Sequence, residues 1–365
     1  MNKSLFSLFL LITLGFISCE TDIDVNADYK DITVVYAAID PQDSAHYVKI
    51  NKAFLGETSA LDLAADQANF NYPDGELSVV MEEYDGDNLV NTYPLTRTVN
   101  EIPKDPGIFD NSANVLYKFI NPSINRNNTY KLKIYNNTLG KDITAQTEIV
   151  EGTTVSDPVN TAGKFQFWIG AVGTGDFNDK TISVTTGADV GRVQTSLVFN
   201  YIEHYTTASG LAPVEKSVVM PLGETRTTTS LGGESLEWIM KGEAFFSNIV
   251  KNVPDPATIP FFSHRELNNI SLEFSVAGTE LDTYMEVSAP STSVNQDKPT
   301  YTNIDNGIGI FSSREKITWL SSIDPVASNQ VNLQNATITY LQSLNLGFCF
   351  GTTGIGFPVA PCTQL

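Results

Sequence analysis

The stretch Ile270-Ser271-Leu272-Glu273-Phe274-Ser275-Val276 decides the fold class of this chain. Its apolar and polar residues alternate strictly, so all four apolar side chains point to one face of an extended backbone. This pattern predicts a half-buried antiparallel β-strand, with one face on a core and the other in water. The same period appears in Tyr130-Lys131-Leu132-Lys133-Ile134 and at Val193, Leu197, Phe199 and Tyr201.

The rest of the chain supports the same class. Two continuous apolar runs, residues 32–39 and 165–172, predict strands covered on both faces, and turn residues such as those at 84–88 separate the strands. Helical periodicity is sparse and is limited to residues 61–68 and 243–251. We therefore predict an all-β protein with one or two short helices.

A small, polar run at residues 152–158 marks a boundary between two domains. Residues 31–152 have the length and strand number of an immunoglobulin-like β-sandwich. Residues 160–365 predict a second, larger β-rich domain, and a chain of 365 residues commonly forms two domains.

The N-terminus predicts export and lipid anchoring. Lys3 precedes an apolar stretch at residues 4–15, and the small Ser18 precedes Cys19. This stretch is shorter than the roughly 20 apolar residues of a membrane span, so residues 1–18 are predicted to be a lipoprotein signal peptide. The thiol of Cys19 would then carry a diacylglycerol, and two or three acyl chains hold a protein on a membrane almost permanently. An ordinary secretory signal with an accidental cysteine is the alternative.

Residues 19–30 are polar and acidic and predict a tether between the anchor and the fold. Glu20, Asp22 and Asp24 also resemble the signals by which Bacteroidota lipoproteins reach the outer face of the outer membrane. The formal net charge of −20 repels phosphate backbones and anionic lipids, which excludes nucleic acid as an expected partner. We expect an outer-membrane protein held by acyl chains alone, at the cell surface or otherwise on the periplasmic face.

Two cysteines remain besides the anchor, Cys349 and Cys362. An isolated pair in an exported protein usually forms a disulfide, and the Gly- and Pro-rich segment between them can fold back. Two free buried thiols are the alternative. The tight Cys-x-x-Cys spacing of redox catalysts is absent.

Two motifs indicate a family. They are residues 130–147, with Tyr130-Lys131-Leu132-Lys133-Ile134 and Gly140-Lys141, and the run Asn303-Ile304-Asp305-Asn306-Gly307-Ile308-Gly309-Ile310-Phe311. With Cys19 and the acidic tether, the chain resembles an uncharacterised group of Bacteroidota outer-membrane lipoproteins. These have an immunoglobulin-like N-terminal sandwich and a C-terminal Asn-Ile-x-x-Gly-x-Gly-x-Phe signature. The resemblance implies an envelope location and frequent association with TonB-dependent transporters, and it implies no known chemistry. The two-cysteine C-terminus departs from the group.

The residue patterns predict neither a catalytic site nor a cofactor or metal site. In the signature, the glycines suggest close backbone approach and Ile308, Ile310 and Phe311 are expected to pack inward, because no Lys-Ser/Thr of a phosphate-binding loop follows. The three histidines, His46, His204 and His264, each stand alone in the sequence. The acidic run at residues 82–88 lacks the spacing of a Ca²⁺ loop and favours a hairpin turn.

Two further features have alternative interpretations. Asp43-Ser44-Ala45 resembles the short acceptor motif for O-glycosylation in Bacteroidota, which makes Ser44 a possible glycosylation site. Trp168, Trp238 and Trp319 are expected in the core, although exposed tryptophans can form a sugar-stacking platform.

The sequence therefore predicts a non-enzymatic accessory lipoprotein that acts with a TonB-dependent transporter or other outer-membrane barrel in ligand capture or assembly. A surface glycan-binding or adhesin-like module is the alternative, and a hydrolase is a third.

Overall fold

The structure is a computed structural model that describes residues 32–53, 66–104, 113–158, 164–289, 300–320 and 332–349. Among these described residues, strands account for 52% and helices for 14%, with three short helices, which confirms the predicted all-β class with a sandwich and a larger β-rich part. Cys19, the acidic tether, most of residues 61–68 and Cys362 lie outside the described residues. Among those described, no helix is long and apolar enough to cross a membrane.

The elements follow one another in this order. The strands are β1 (Thr33–Ile39), β2 (Ala45–Lys52), β3 (Leu77–Asp85), β4 (Asn88–Pro94), β5 (Thr96–Val99), β6 (Val115–Ile120), β7 (Thr129–Asn136), β8 (Lys141–Thr147), β9 (Thr154–Asp157), β10 (Trp168–Ile169), β11 (Asp176–Phe177), β12 (Lys180–Thr185), β13 (Val190–Tyr205), β14 (Val214–Arg226), β15 (Ser235–Met240), β16 (Phe262–Gly278), β17 (Ile304–Asp305), β18 (Gly307–Leu320) and β19 (Phe348–Cys349). The helices are α1 (Gly242–Asn252), α2 (Thr279–Ser288) and α3 (Asn335–Ser343).

One nine-stranded sheet runs through the molecule in the order β14-β13-β16-β18-β1-β2-β6-β5, with β19 paired to β16. A five-stranded sheet, β17-β8-β7-β3-β4, packs against one half of it. A three-stranded sheet, β15-β12-β9, together with α1 and α3, covers the other half. The alternation read from the sequence decides which side chains enter these layers, and Leu132, Leu197 and Leu272 are all buried.

Two hydrophobic cores result. The first is built mainly from residues between Val35 and Ile149, and the second from residues between Val150 and Phe348. In one respect the structure differs from the predicted division at 152 and 160: Ile304 and Phe311, which belong to the predicted second domain, are buried in the first core.

Strand β18 explains this difference because it belongs to both halves of the large sheet. Its first half pairs parallel with β1, and its second half pairs antiparallel with β16. Arg126 stabilises β18 near the point where its pairing changes from β1 to β16. It donates to Glu315 of β18 at 2.5 Å and to the Val150 carbonyl at 2.7 Å. The first sandwich is thus completed by a strand that lies some 270 residues later in the chain than β1.

Two local predictions have different outcomes. Residues 243–251 form the predicted helix within α1, which ends before Pro254. The continuous strand predicted at residues 165–172 is wrong, because only an isolated bridge at Phe165 and the two-residue β10 form there. Gly170 follows β10 with φ +90°, a conformation that turns the backbone out of an extended strand.

Candidate functional site

One candidate site is an open groove of about 480 Å³ on the solvent face of the nine-stranded sheet. We call it the polar groove and define it by side chains from four neighbouring strands: Ser217 (β14), Asn200 (β13), Asn268, Asn269 and Ser271 (β16), and Thr318 (β18). These groups are neutral amides and hydroxyls. The charged residues at its border are Glu215 and Lys216.

A β-bulge forms the groove. Phe199 pairs with Ile270 and Tyr201 pairs with Leu267, so Asn200 lies opposite two residues, Asn268 and Asn269. An extra residue on one strand bends it and increases the local twist, and bulges are frequent next to functional sites. The bulge here opens the sheet surface where three amide side chains meet.

Hydrogen bonds fix part of this amide cluster. The Nδ2 of Asn200 donates to Asn269 Oδ1 at 2.9 Å and to Ser271 Oγ at 3.3 Å. Asn269 Nδ2 in turn donates to Asn268 Oδ1 at 3.0 Å. Each amide has two donors and one acceptor oxygen with two lone pairs, so capacity remains for a ligand on the exposed side.

The opposite face of the same strands is packed into the second core. Phe199 and Tyr201 lie in the second core, and beneath the end of the groove Arg265 and Glu203 form an ion pair at 3.1 Å in which both side chains are fully buried. Burial opposes ionisation of Glu203, but hydrogen bonds from Lys216, Tyr205 and Arg265 outweigh it and hold its pKa below the usual range. Arg265 also donates to the Leu346 carbonyl at 2.5 Å, which ties the C-terminal segment to β16.

The sequence interpretation did not identify the polar groove. One signal was present: Leu267 and Ile270 are both buried, with two asparagines between them, so the period-two pattern of β16 breaks at this point. Two polar residues between inward-facing apolar residues indicate a bulge. The contribution of Asn200 from another strand had no local signal.

The histidines show one correction. His46 is buried, stacked on Phe119 and bonded to the Asn121 carbonyl at 3.0 Å, as a packing residue would be. His204 and His264 do not stand alone, because their rings stack at 4.4 Å across the β13–β16 pair. Among the described residues, no group of three His, Cys, Asp or Glu side chains could hold a metal ion.

The acidic run at 82–88 forms the predicted hairpin between β3 and β4, with Gly86 at φ +57°. Two of its carboxylates, those of Glu82 and Glu83, already have protein partners. Glu82 pairs with Lys133 at 2.8 Å, and buried Glu83 accepts from Asn91 and Tyr93.

The other predicted residues occupy varied positions. Ser44 lies exposed in a bend just before β2, where its hydroxyl is accessible, and its glycosylation stays a prediction. Trp168 and Trp238 are buried, and Trp319 is partly buried against the second core. Cys349 is buried in β19 and disulfide-bonded, while its pairing with Cys362 stays a prediction because Cys362 lies outside the described residues.

The signature at residues 303–311 closes the first sandwich. The side-chain amide of Asn303 accepts from the Phe311 N–H at 2.9 Å and donates to the Phe311 carbonyl at 2.7 Å. It thus satisfies both backbone hydrogen-bonding groups of Phe311, as a neighbouring strand would. Ile304 and Phe311 then fill the core. Ile308 is exposed to 44% of its surface, so the prediction that it packs inward is wrong; β18 alternates and points it to the other face.

The two glycines of the signature allow β18 to approach β1. A Cβ on Gly309 would lie 1.9 Å from the Val35 carbonyl oxygen, and one on Gly307 would lie 2.8 Å from the Thr33 carbonyl oxygen. Gly309 also has φ +115°, which side chains rarely adopt. The motif is therefore a packing device in this chain.

Comparison with known proteins adds little. No protein-family model matches the chain, and no curated protein matches it. Among solved structures, the C-terminal globular domain of oligosaccharyltransferase from Pyrococcus abyssi is similar over 67% of this chain and 46% of that chain, at 9% identity. The chain thus spans less than half the length of that structure, and the TM-score of 0.23 carries no argument about fold or function.

Proposed function

We propose that the protein is a lipid-anchored, non-enzymatic accessory protein of the outer membrane that captures a ligand in the polar groove for a TonB-dependent transporter or other outer-membrane barrel. The observation that carries the proposal is the groove itself, an open row of neutral amides and hydroxyls across four strands. Such groups form hydrogen bonds with a ligand and supply no nucleophile matched to a base. The predicted anchor at Cys19 and the acidic tether support the location.

The supporting framework suits binding rather than turnover. The groove lies on regular strands whose other face is packed into a core, and a rigid scaffold keeps polar groups oriented before the ligand arrives. Its openness favours a ligand that is also held by a second protein, because shallow sites bury little ligand surface.

The experiment is co-purification of the lipidated protein from native membranes in mild detergent. A stoichiometric β-barrel partner is expected. Asn269→Leu should leave that complex intact but weaken ligand capture, whereas Ser275→Ala, on the exposed face of the same strand away from the groove, should change neither. Absence of any barrel partner would overturn the accessory function.

A second candidate is a surface glycan-binding module. The amide cluster of Asn200, Asn268 and Asn269 favours it, because paired donors and acceptors match adjacent hydroxyls of a neutral sugar. Signal on a glycan array, lost in Asn269→Leu and retained in Ser275→Ala, together with no barrel partner, would support this function over the first.

A further inference from the structure

A second cavity lies on the opposite half of the nine-stranded sheet. It has a volume of about 450 Å³ and is bordered by the outer faces of β1, β2 and β6 and by the start of α2. We call it the junction pocket and define it by Tyr36, Tyr47, Lys49, Asn114 and Leu281. It shares no residue with the polar groove.

Lys49 lies in this pocket directly across the β1–β2 pair from Tyr36. Its ammonium donates to Asn114 Oδ1 at 3.0 Å and to the Val115 carbonyl at 3.1 Å. An ammonium has three N–H donors, so one donor remains for the cavity. Among the described residues, no carboxylate forms an ion pair with Lys49.

Two other shielded cations are neutralised by carboxylates. Arg265 pairs with Glu203 at 3.1 Å, and Arg192 pairs with Asp282 at 2.7 Å. Burial of Lys49 without such a partner, and repulsion from Lys104, lower its pKa to about 8. In a chain of net charge −20, this pocket therefore contains a partly desolvated ammonium with which no carboxylate of the described residues forms an ion pair. One further charge of each sign, Asp43 and Arg314, also lines the pocket.

The other residues that line the pocket indicate which chemical groups the rest of a ligand would have. Ile102, Leu116 and Leu281 supply apolar surface. The Tyr36 hydroxyl lies 3.3 Å from that of Tyr284, and this contact, followed by burial, raises the pKa of Tyr36 to about 12. Tyr36 therefore stays neutral at ordinary pH, and its hydroxyl can contribute to hydrogen bonding at an anion.

We infer that the junction pocket binds a small carboxylate whose body is apolar, with the carboxylate on Lys49 and the apolar part against Leu116 and Leu281. The ligand carboxylate would accept a charge-assisted hydrogen bond from the third N–H donor of the Lys49 ammonium. This bond would offset the free-energy cost of burying the Lys49 charge. A free organic acid and the C-terminal carboxylate of an apolar peptide share this chemistry. The inference does not depend on the polar groove.

The test is calorimetric titration of the purified full-length mature protein with phenylacetate and with its neutral analogue phenylacetamide. We expect saturable binding of phenylacetate in the micromolar to millimolar range and at least about tenfold weaker binding of the amide. N-acetylphenylalanine and its amide form a second pair, and a preference for this pair over phenylacetate would identify a peptide terminus as the source. Equal binding of acid and amide, or no binding of either acid, would overturn the inference.

Variants locate the site. Lys49→Met keeps the length of the side chain without its charge and should weaken phenylacetate binding about tenfold or more. Lys316→Met removes the same charge from an exposed position on β18 outside the pocket and should leave binding unchanged. If Lys49→Met fails to fold, acylation of the native protein replaces it: bound phenylacetate should protect Lys49 and leave Lys316 reactive. Unchanged binding by folded Lys49→Met, or unchanged acylation of Lys49, would contradict the proposal.

Discussion

Gly309→Ala tests the reason for the glycine signature. In the structure, Gly309 has φ +115° and its backbone lies against β1, where a Cβ would meet the Val35 carbonyl oxygen at 1.9 Å. Real Cβ atoms do not approach a backbone oxygen so closely, and the obstacle is main chain that cannot rotate away. The substitution must therefore displace β18 from β1 or strain both strands, at the point where Phe311 closes the first core.

Two contributions set the size of the effect. A residue held in a sparsely populated backbone region costs about 1–3 kcal/mol. Crowding of a packed position costs about 1–3 kcal/mol more. We expect Gly309→Ala to lower the free energy of unfolding by about 2–6 kcal/mol, a large share of the roughly 5–15 kcal/mol typical of a domain.

Urea unfolding followed by circular dichroism measures this change, and two other glycines separate its causes. Gly223 has φ +114° but nothing within 4 Å of its Cβ position, so Gly223→Ala should show backbone strain alone. Gly152 has open space and no positive φ, so Gly152→Ala should be close to neutral. The expected order of destabilisation is Gly309, Gly223, Gly152. If Gly309→Ala is no more destabilising than Gly223→Ala, the close approach of β18 to β1 is refuted.

Four further outcomes are expected. Arg265→Met should lower the free energy of unfolding by about 3 kcal/mol, because the Glu203 carboxylate stays buried after its Arg265 partner is removed. Adding Glu203→Gln should recover part of this lost stability in urea titration, and no recovery would contradict the buried pair. Cys19→Ala should release the protein from the outer-membrane fraction, and retention after a carbonate wash would exclude the lipid anchor. Cys362→Ser should lower stability by roughly 2–4 kcal/mol at most, and alkylation of both cysteines in the unreduced native protein, read by mass spectrometry, would disprove the predicted pairing. Burial, and then the neighbouring His204, lower the pKa of His264 below its usual value of 6.5, so the unfolded chain binds this proton first. The free energy of unfolding should therefore fall as the pH drops through 6.5 towards the folded pKa, and an unchanged pH profile in His264→Phe would contradict this assignment.

The strands and their buried faces could be predicted from the sequence because period-two alternation is a local property. Leu132, Phe199 and Phe274 are buried as their patterns predict. The strand predicted at 165–172 failed for an equally local reason, since apolar content alone does not reveal that Gly170 turns the chain. The apolar composition of residues 165–172 indicated a β-strand, but the backbone conformation of Gly170 decided where that strand ends.

The candidate sites could not be predicted in the same way. Asn200 and Asn269 meet only because β13 and β16 pair with a bulge between them, and the sequence shows the bulge on one strand only. Lys49 reads as an ordinary outward-facing lysine of β2. That no carboxylate of the described residues pairs with it depends on side chains from β1, β6 and α2 that surround it in three dimensions.

The sequence by itself determined the β class, the alternation of core and solvent faces and the presence of a glycine-rich signature, and it predicts the anchor at Cys19. The tertiary structure alone decided that β18 joins the two halves of the nine-stranded sheet and that its glycines are needed because β1 passes within contact distance. The physical reason is range: side-chain alternation acts over a few residues, whereas strand pairing and the desolvation of a charge depend on elements that are distant in the chain.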